Sequence, residues 1–143
     1  MTKTSTPSTT TLLLAVVAAV AFAAPSARAI TYYVSQSGGD DSWTGRAAEP
    51  GGGGAGPWKT LERASKVKLA PGDQVLLKCG DAWNEELRPT GNGTPDRPIM
   101  IGSYGKGPKP LIDREDFKKD LCGIRLADQE GFKIVGIEFA RCM

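Results

Sequence analysis

The chain of 143 residues carries 18 Lys and Arg, 16 Asp and Glu and no His, for a formal net charge of +2. A balance this close excludes the basic stripe with which a nucleic-acid binder neutralises phosphates. The absence of His excludes Ser-His and Cys-His dyads and His-ligated zinc, and with them the usual acid/base residue near neutral pH.

Lys3 is the only charge before Arg28, and Leu12 to Ala24 is an unbroken apolar run, followed by Pro25, Ser26 and Ala27-Arg28-Ala29. A charged start, an apolar middle and a small-x-small end predict a secretory signal peptide over residues 1–29, cleaved before Ile30. The run is shorter than the roughly 20 residues a spanning helix needs. No later segment is apolar enough to span a bilayer, so no membrane span is expected after cleavage, and the protein is expected to be secreted or periplasmic. Removing residues 1–29 takes Lys3 and Arg28 and no acidic residue, which leaves the mature part formally neutral. Its three cysteines, Cys79, Cys122 and Cys142, are an odd number for an oxidising compartment. They are either buried, unpaired small hydrophobes or thiols with a partner in sequence after Met143.

Residues 30–72 are predicted to form an N-terminal strand, a Gly-rich loop and a capping helix. Thr31-Tyr32-Tyr33-Val34-Ser35 is β-branched and aromatic, the composition of a strand. A polar loop with Gly38, Gly39, Asp40 and Asp41 follows, then Gly51-Gly52-Gly53-Gly54. The glycines lack the Gly-Lys-Ser/Thr of a phosphate-binding loop, so they are expected to be a flexible insertion. Asp40-Asp41 carries the oxygen ligands calcium prefers, a feature that solvated loop acids share. Thr60 is placed to N-cap a short helix with Leu61, Ala64 and Val67 on its buried face, ended by Pro71-Gly72.

Residues 73–143 alternate short apolar strands with Gly, Pro and Asp turns. Val75/Leu77, Ile99/Ile101 and Ile124/Leu126 share an apolar-x-apolar form at nearly constant spacing, and Leu87, Leu111 and Ile134 interleave with them. Two interleaved series predict stacked coils, each passing through more than one sheet. A small antiparallel sandwich is the alternative, since its strands recur at a comparable half-period.

Tyr32-Tyr33-Val34-Ser35 with Ser37-Gly38-Gly39-Asp40, Pro57-Trp58-Lys59-Thr60-Leu61 and Pro71-Gly72-Asp73-Gln74-Val75 resemble the opening of secreted right-handed parallel β-helix proteins of the pectate-lyase-like superfamily. Leu87-Arg88-Pro89, Lys109-Pro110-Leu111-Ile112-Asp113 and Phe132-Lys133-Ile134-Val135-Gly136-Ile137 continue the resemblance. It implies an all-β solenoid, with the helix after Thr60 lying across the first coil as a lid and with Ile134, Ile137 and Phe139 closing the last visible coil. The strand pattern runs up to Arg141 without a polar cap, so the chain is expected to be the first part of a longer β-helix.

The resemblance further implies an exported protein that binds or degrades polysaccharide, as a lyase or a hydrolase, with calcium as a cofactor of some members. The alternatives are a non-catalytic cell-surface or carbohydrate-binding module and a truncated product without activity. Elimination needs a base and a cation, and glycoside hydrolysis two carboxylates flanking the bond. Lys78, Arg125 and Lys133 are candidate bases, although strand alternation alone also puts charges outside. Asp113-Arg114-Glu115-Asp116 could hold a cation or be a solvated turn. Glu85-Glu86, read as strand neighbours, should point to opposite faces and so form no catalytic pair. Of the tryptophans, Trp58 is expected in the core, and Trp83 is the preferred sugar platform over Trp43. Asn92-Gly93-Thr94 fits a glycosylation acceptor, which matters only in a eukaryotic secretory host. The catalytic residues are expected to lie mostly after Met143.

Overall fold

The computed structural model describes residues 27–114 and 123–141. The apolar leader, Cys122, Cys142 and the Glu115-Asp116 half of the acidic turn lie outside the described residues. The rest is mostly β, with nine short strands and one short α-helix. Among the described residues no helix is long and apolar enough to cross a membrane.

The chain makes successive passes, and every strand pairing is parallel. The first pass holds β1 (Thr31–Val34), α1 (Leu61–Ser65) and β2 (Lys68–Leu69). The second holds β3 (Gln74–Lys78), β4 (Ala82–Trp83) and β5 (Thr90–Gly91), and the third β6 (Ile99–Tyr104) and β7 (Leu111–Asp113). The last holds β8 (Phe132–Ile134) and β9 (Glu138–Ala140). The sheets run in the orders β1-β3-β6-β8, β2-β5 and β4-β7-β9. The mostly β content agrees with the expected all-β class, and the parallel pairing is not that of an antiparallel sandwich.

The register departs from the expected spacing in two ways. Val75 pairs with Ile101 and not with Ile99. Ile101 in turn pairs with Ile134, while Ile124 bridges Leu87 in another part of the pass. The cause lies in the side-chain period of two. An apolar-x-apolar motif marks the inward face but is unchanged by a slip of two residues, and it does not say which sheet a strand joins.

The inward residues make the core. Val34, Val75, Leu77, Leu87, Ile99, Ile101 and Ile112 are all 1% exposed or less. On the last pass the inward positions lack a covering layer among the described residues, and Ile134 (40%) and Phe139 (43%) are exposed. The expectation that Ile134 and Phe139 close the core is therefore corrected.

Thr60 N-caps α1 as expected, its hydroxyl accepting from the Arg63 amide at 3.1 Å. Leu61 and Ala64 are buried, and Val67 packs on the core from beyond the helix end. The helix stops well before Pro71 and is followed by β2, which the sequence did not suggest. It takes a place within the first pass, where Glu85 accepts from the Leu61 and Glu62 amides and Ser65 accepts from the Arg88 amide.

The segment between β1 and α1 covers the free edge of β1. Tyr33 donates its amide to Gly45 at 2.7 Å and accepts from the Trp58 amide at 2.9 Å, while Ser35 donates to Trp58 at 2.7 Å. These bonds occupy the free edge of β1, which would otherwise offer unpaired backbone groups. Trp58 stacks on Tyr32 with ring centroids 4.9 Å apart. The expected flexible insertion is thus tied down at both ends, and its exposed tip is a 3-10 turn over Gly52–Gly54. Gly45 has φ +70°, and a Cβ there would stand 2.3 Å from the Trp58 ring. Gly45→Ala is expected to cost about 2 kcal/mol in a denaturant melt, from the unfavourable φ and the displaced indole.

Candidate functional site

Two hollows meet beside α1 and the ends of β4 and β7. The larger, of about 350 Å³, is lined by Glu62, Ser65, Asn84, Glu85, Glu86, Arg88 and Arg114. The smaller, of about 230 Å³, is lined by Ala82, Trp83, Asn84 and Asp113. Asn84 lines both, so together they make a polar trough across three passes of the chain.

Glu85 and Glu86 both line the larger hollow, against the expectation that they face opposite ways. β4 ends at Trp83, so the pair sits in a bend where strand alternation no longer applies. Each carboxylate already has partners. Glu85 Oε2 accepts the Leu61 and Glu62 amides at 2.9 and 3.1 Å, which satisfies two donors at the start of α1. The Glu86 side chain is only 8% exposed and lies between Arg125 Nε at 2.7 Å and Arg88 Nη2 at 2.5 Å. Burial pushes its carboxyl up, but the hydrogen bonds and charges of Arg125 and Arg88 outweigh that and hold it below the ordinary carboxylate range. Asp113 bonds Arg141, whose guanidinium likewise holds it low.

A glycosidase needs one carboxyl kept protonated to act as an acid while a second stays ionised. Here Glu86 and Asp113 are held ionised and Glu85 serves as a helix anchor. The trough therefore offers hydrogen-bonding groups suited to sugar hydroxyls, and its carboxylates at Glu85, Glu86 and Asp113 are already engaged by protein partners. Glu86→Gln should free Arg88 and Arg125 from their shared anion and cost about 1 kcal/mol, discounted for the exposure of both arginines. Urea titration of the variant beside the parent measures it.

The other candidates are dispersed. Trp83 is 2% exposed and donates its indole N–H to the Lys59 carbonyl at 3.0 Å, so its ring packs in the core and does not present an open stacking face. Polar neighbours in sequence suggested exposure, but strand alternation turns Trp83 inward between outward Ala82 and Asn84. Trp58 is in the core as expected, and Trp43 is half-buried beside Gly56. Lys78 is half-buried on β3, Lys133 is exposed on β8, and Arg125 is committed to Glu86.

Asp40 accepts from the Ser42 amide and hydroxyl, and Asp41 from the Lys59 and Thr60 amides and the Thr60 hydroxyl. Among the described residues no three Cys, Asp or Glu side chains gather as a metal site. Cys79 is a free, half-buried thiol.

No family model matches the chain. Over 89 residues, 57% of its length, it is 37% identical to the lacto-N-biosidase of Bifidobacterium longum subsp. longum, and the match covers 5% of that protein. Crystal structures of a GH136 lacto-N-biosidase from Eubacterium ramulus, as the selenomethionine derivative and the native protein, superpose with a TM-score of 0.63 at 32% identity. They match 77% and 76% of this chain, which spans 20% of theirs. The chain is thus similar, over much of its own length, to a small part of larger glycoside hydrolases.

Proposed function

We propose that the chain is the opening part of an exported carbohydrate-degrading hydrolase, with the described passes as the first coils of a right-handed parallel β-helix of the pectate-lyase-like kind. The observation that carries the reading is the 32–37% identity to lacto-N-biosidases, joined to a common fold over three quarters of the chain. The parallel pairing of every strand supports the β-helix reading, and the leader pattern supports export, to the periplasm or the medium. On this reading the segment is scaffold, and its polar trough contributes hydrogen bonds to an oligosaccharide or polysaccharide. The bond-breaking carboxylates belong to the larger part of such an enzyme that this chain does not span. Calcium, which β-helix lyases commonly use, is not required by a two-carboxylate hydrolysis.

The test is an assay of the complete gene product on a panel of neutral and acidic saccharides, followed by new reducing ends and by the absorbance of unsaturated uronates. New reducing ends without that absorbance, unchanged by a calcium chelator, are the expected result. Unsaturated products would replace hydrolysis with elimination. Saturable binding without turnover would favour the second reading, a binding module, which the engagement of Glu85, Glu86 and Asp113 as anchors already favours for this segment taken alone.

A further inference from the structure

The buried carboxylate of Asp73 has no role in the trough and lies on the opposite end of β3 from it. Asp73 is 3% exposed. Its Oδ2 accepts the Ala70 amide at 2.8 Å, closing the Pro71-Gly72 turn, and its Oδ1 accepts the backbone N–H of Ile30 at 2.8 Å. Among the described residues no ion pair reaches it. Arg97 lies beside the turn at Gly72, but its Nη2 donates to the Ala27 carbonyl at 2.7 Å. A buried carboxylate without a counter-charge is costly, and such groups are normally paired.

The missing cation is supplied by the leader's own removal. The small-x-small motif Ala27-Arg28-Ala29 sets the scissile bond directly before Ile30. Hydrolysis there adds water across the Ala29–Ile30 peptide bond. Ala29 departs as a carboxylate, and the Ile30 nitrogen takes up protons to become an ammonium. That nitrogen is already at hydrogen-bond distance from Asp73 Oδ1, so no rearrangement is required. Its position is fixed from two sides, because Ile30 packs against the core and its carbonyl accepts the Gln74 amide at 2.8 Å.

We infer that signal-peptide cleavage creates a buried ion pair between the new α-ammonium of Ile30 and Asp73, which fastens the start of β1 to the turn that opens β3. Processing then finishes the fold as well as releasing it. Asp73 also accepts the Met100 amide through its carbonyl, so the clamp reaches the first three strands of the largest sheet. The inference rests on the export reading and is independent of the carbohydrate reading, so an inactive protein in the saccharide assay leaves it untouched.

The test uses the exported product and a cytosolic form that keeps residues 27–29 behind an initiator Met. Mass spectrometry of the exported product should find Ile30 at the N-terminus. Acetic anhydride should acetylate that amine at least tenfold more slowly in the folded protein than in urea. The exported product should melt about 5 °C higher than the form that retains residues 27–29, and the gap should close when both carry Asp73→Asn. A different N-terminus, equal labelling in the folded and unfolded protein, or equal melting of the two parent forms would each overturn the inference. The labelling result stands alone if Asp73→Asn does not fold.

Discussion

Trp58→Ala is expected to be the most damaging single change among the described residues, costing about 4 kcal/mol. Trp58 is 1% exposed. Its ring stacks on Tyr32, its indole N–H donates to the Trp43 carbonyl at 2.8 Å, and the Arg63 guanidinium sits over it at 4.6 Å. Its backbone also covers the β1 edge. Removing the ring opens a cavity, leaves the Trp43 carbonyl without its donor and takes away the ring face beneath the Arg63 guanidinium, which keeps its bond to the Asp41 carbonyl at 3.2 Å. Trp58→Phe keeps an aromatic ring to stack on Tyr32 but loses the indole N–H and part of the buried ring volume, so it should cost about 2 kcal/mol. Denaturant titrations of the two variants beside the parent read both values. A cost for Trp58→Ala no larger than that for Trp58→Phe would mean the indole does not anchor the cap.

Asp41→Ala should be the next most severe, at about 3 kcal/mol. The Asp41 carboxylate receives the Lys59 amide at 2.8 Å, the Thr60 amide at 2.9 Å and the Thr60 hydroxyl at 2.7 Å, so it holds the helix cap itself in place. Hydrogen bonds to a charged group contribute more than neutral ones, and three end together in the variant. Burial raises the Asp41 carboxyl, but the Thr60 and Lys59 hydrogen bonds and the Arg63 charge prevail and lower it. A carboxyl lowered in the folded state stabilises fully above its unfolded pKa of about 3.9, and that stabilisation disappears as pH falls through the folded value. The parent should therefore lose stability on acidification below about pH 4, and Asp41→Asn should show a shallower loss across the same window. Parallel acid titrations of the melting temperature would show the two curves converging as pH falls.

Much of this arrangement was legible because strands announce themselves by alternation. Tyr32, Val34, Val75, Leu77 and Ile101 all point inward as their spacing required, and Thr60 caps the helix it was expected to cap. What the sequence could not supply was partner identity. Val75 has no chemical means of preferring Ile99 over Ile101, because the two present the same apolar face. Ile124 looked like a member of the Val75 series because an inward strand has the same pattern in every sheet.

The cover over the β1 edge is hidden from the sequence for a related reason. Gly45 and Gly56 flank the Gly51–Gly54 run expected to be flexible, yet each is a place where backbone must approach a tryptophan ring. A Cβ at Gly56 would stand 2.1 Å from Trp43. At the trough, the alternation rule was carried past the end of β4, which hid the convergence of Glu85 and Glu86. The same rule, applied to Trp83, would have sent it inward. The Ile30–Asp73 contact joins residues far apart in sequence and carries no motif beyond the cleavage signal.

The parallel stacking of β3, β6 and β8 can be tested most directly by disulfide trapping in a background with Cys79, Cys122 and Cys142 changed to Ser. Gln74 pairs with Met100, and Met100 with Lys133. Cysteines at Gln74 and Met100, or at Met100 and Lys133, should therefore cross-link on mild oxidation. Cysteines at Leu76 and Met100, or at Met100 and Arg125, are the pairs that the simple sequence spacing would bring together. In the observed register they should stay reduced, because they lie farther apart than the roughly 7 Å a disulfide can bridge. Efficient cross-linking of the second set in place of the first would contradict the fold on which the trough, the cap and the Asp73 clamp all depend.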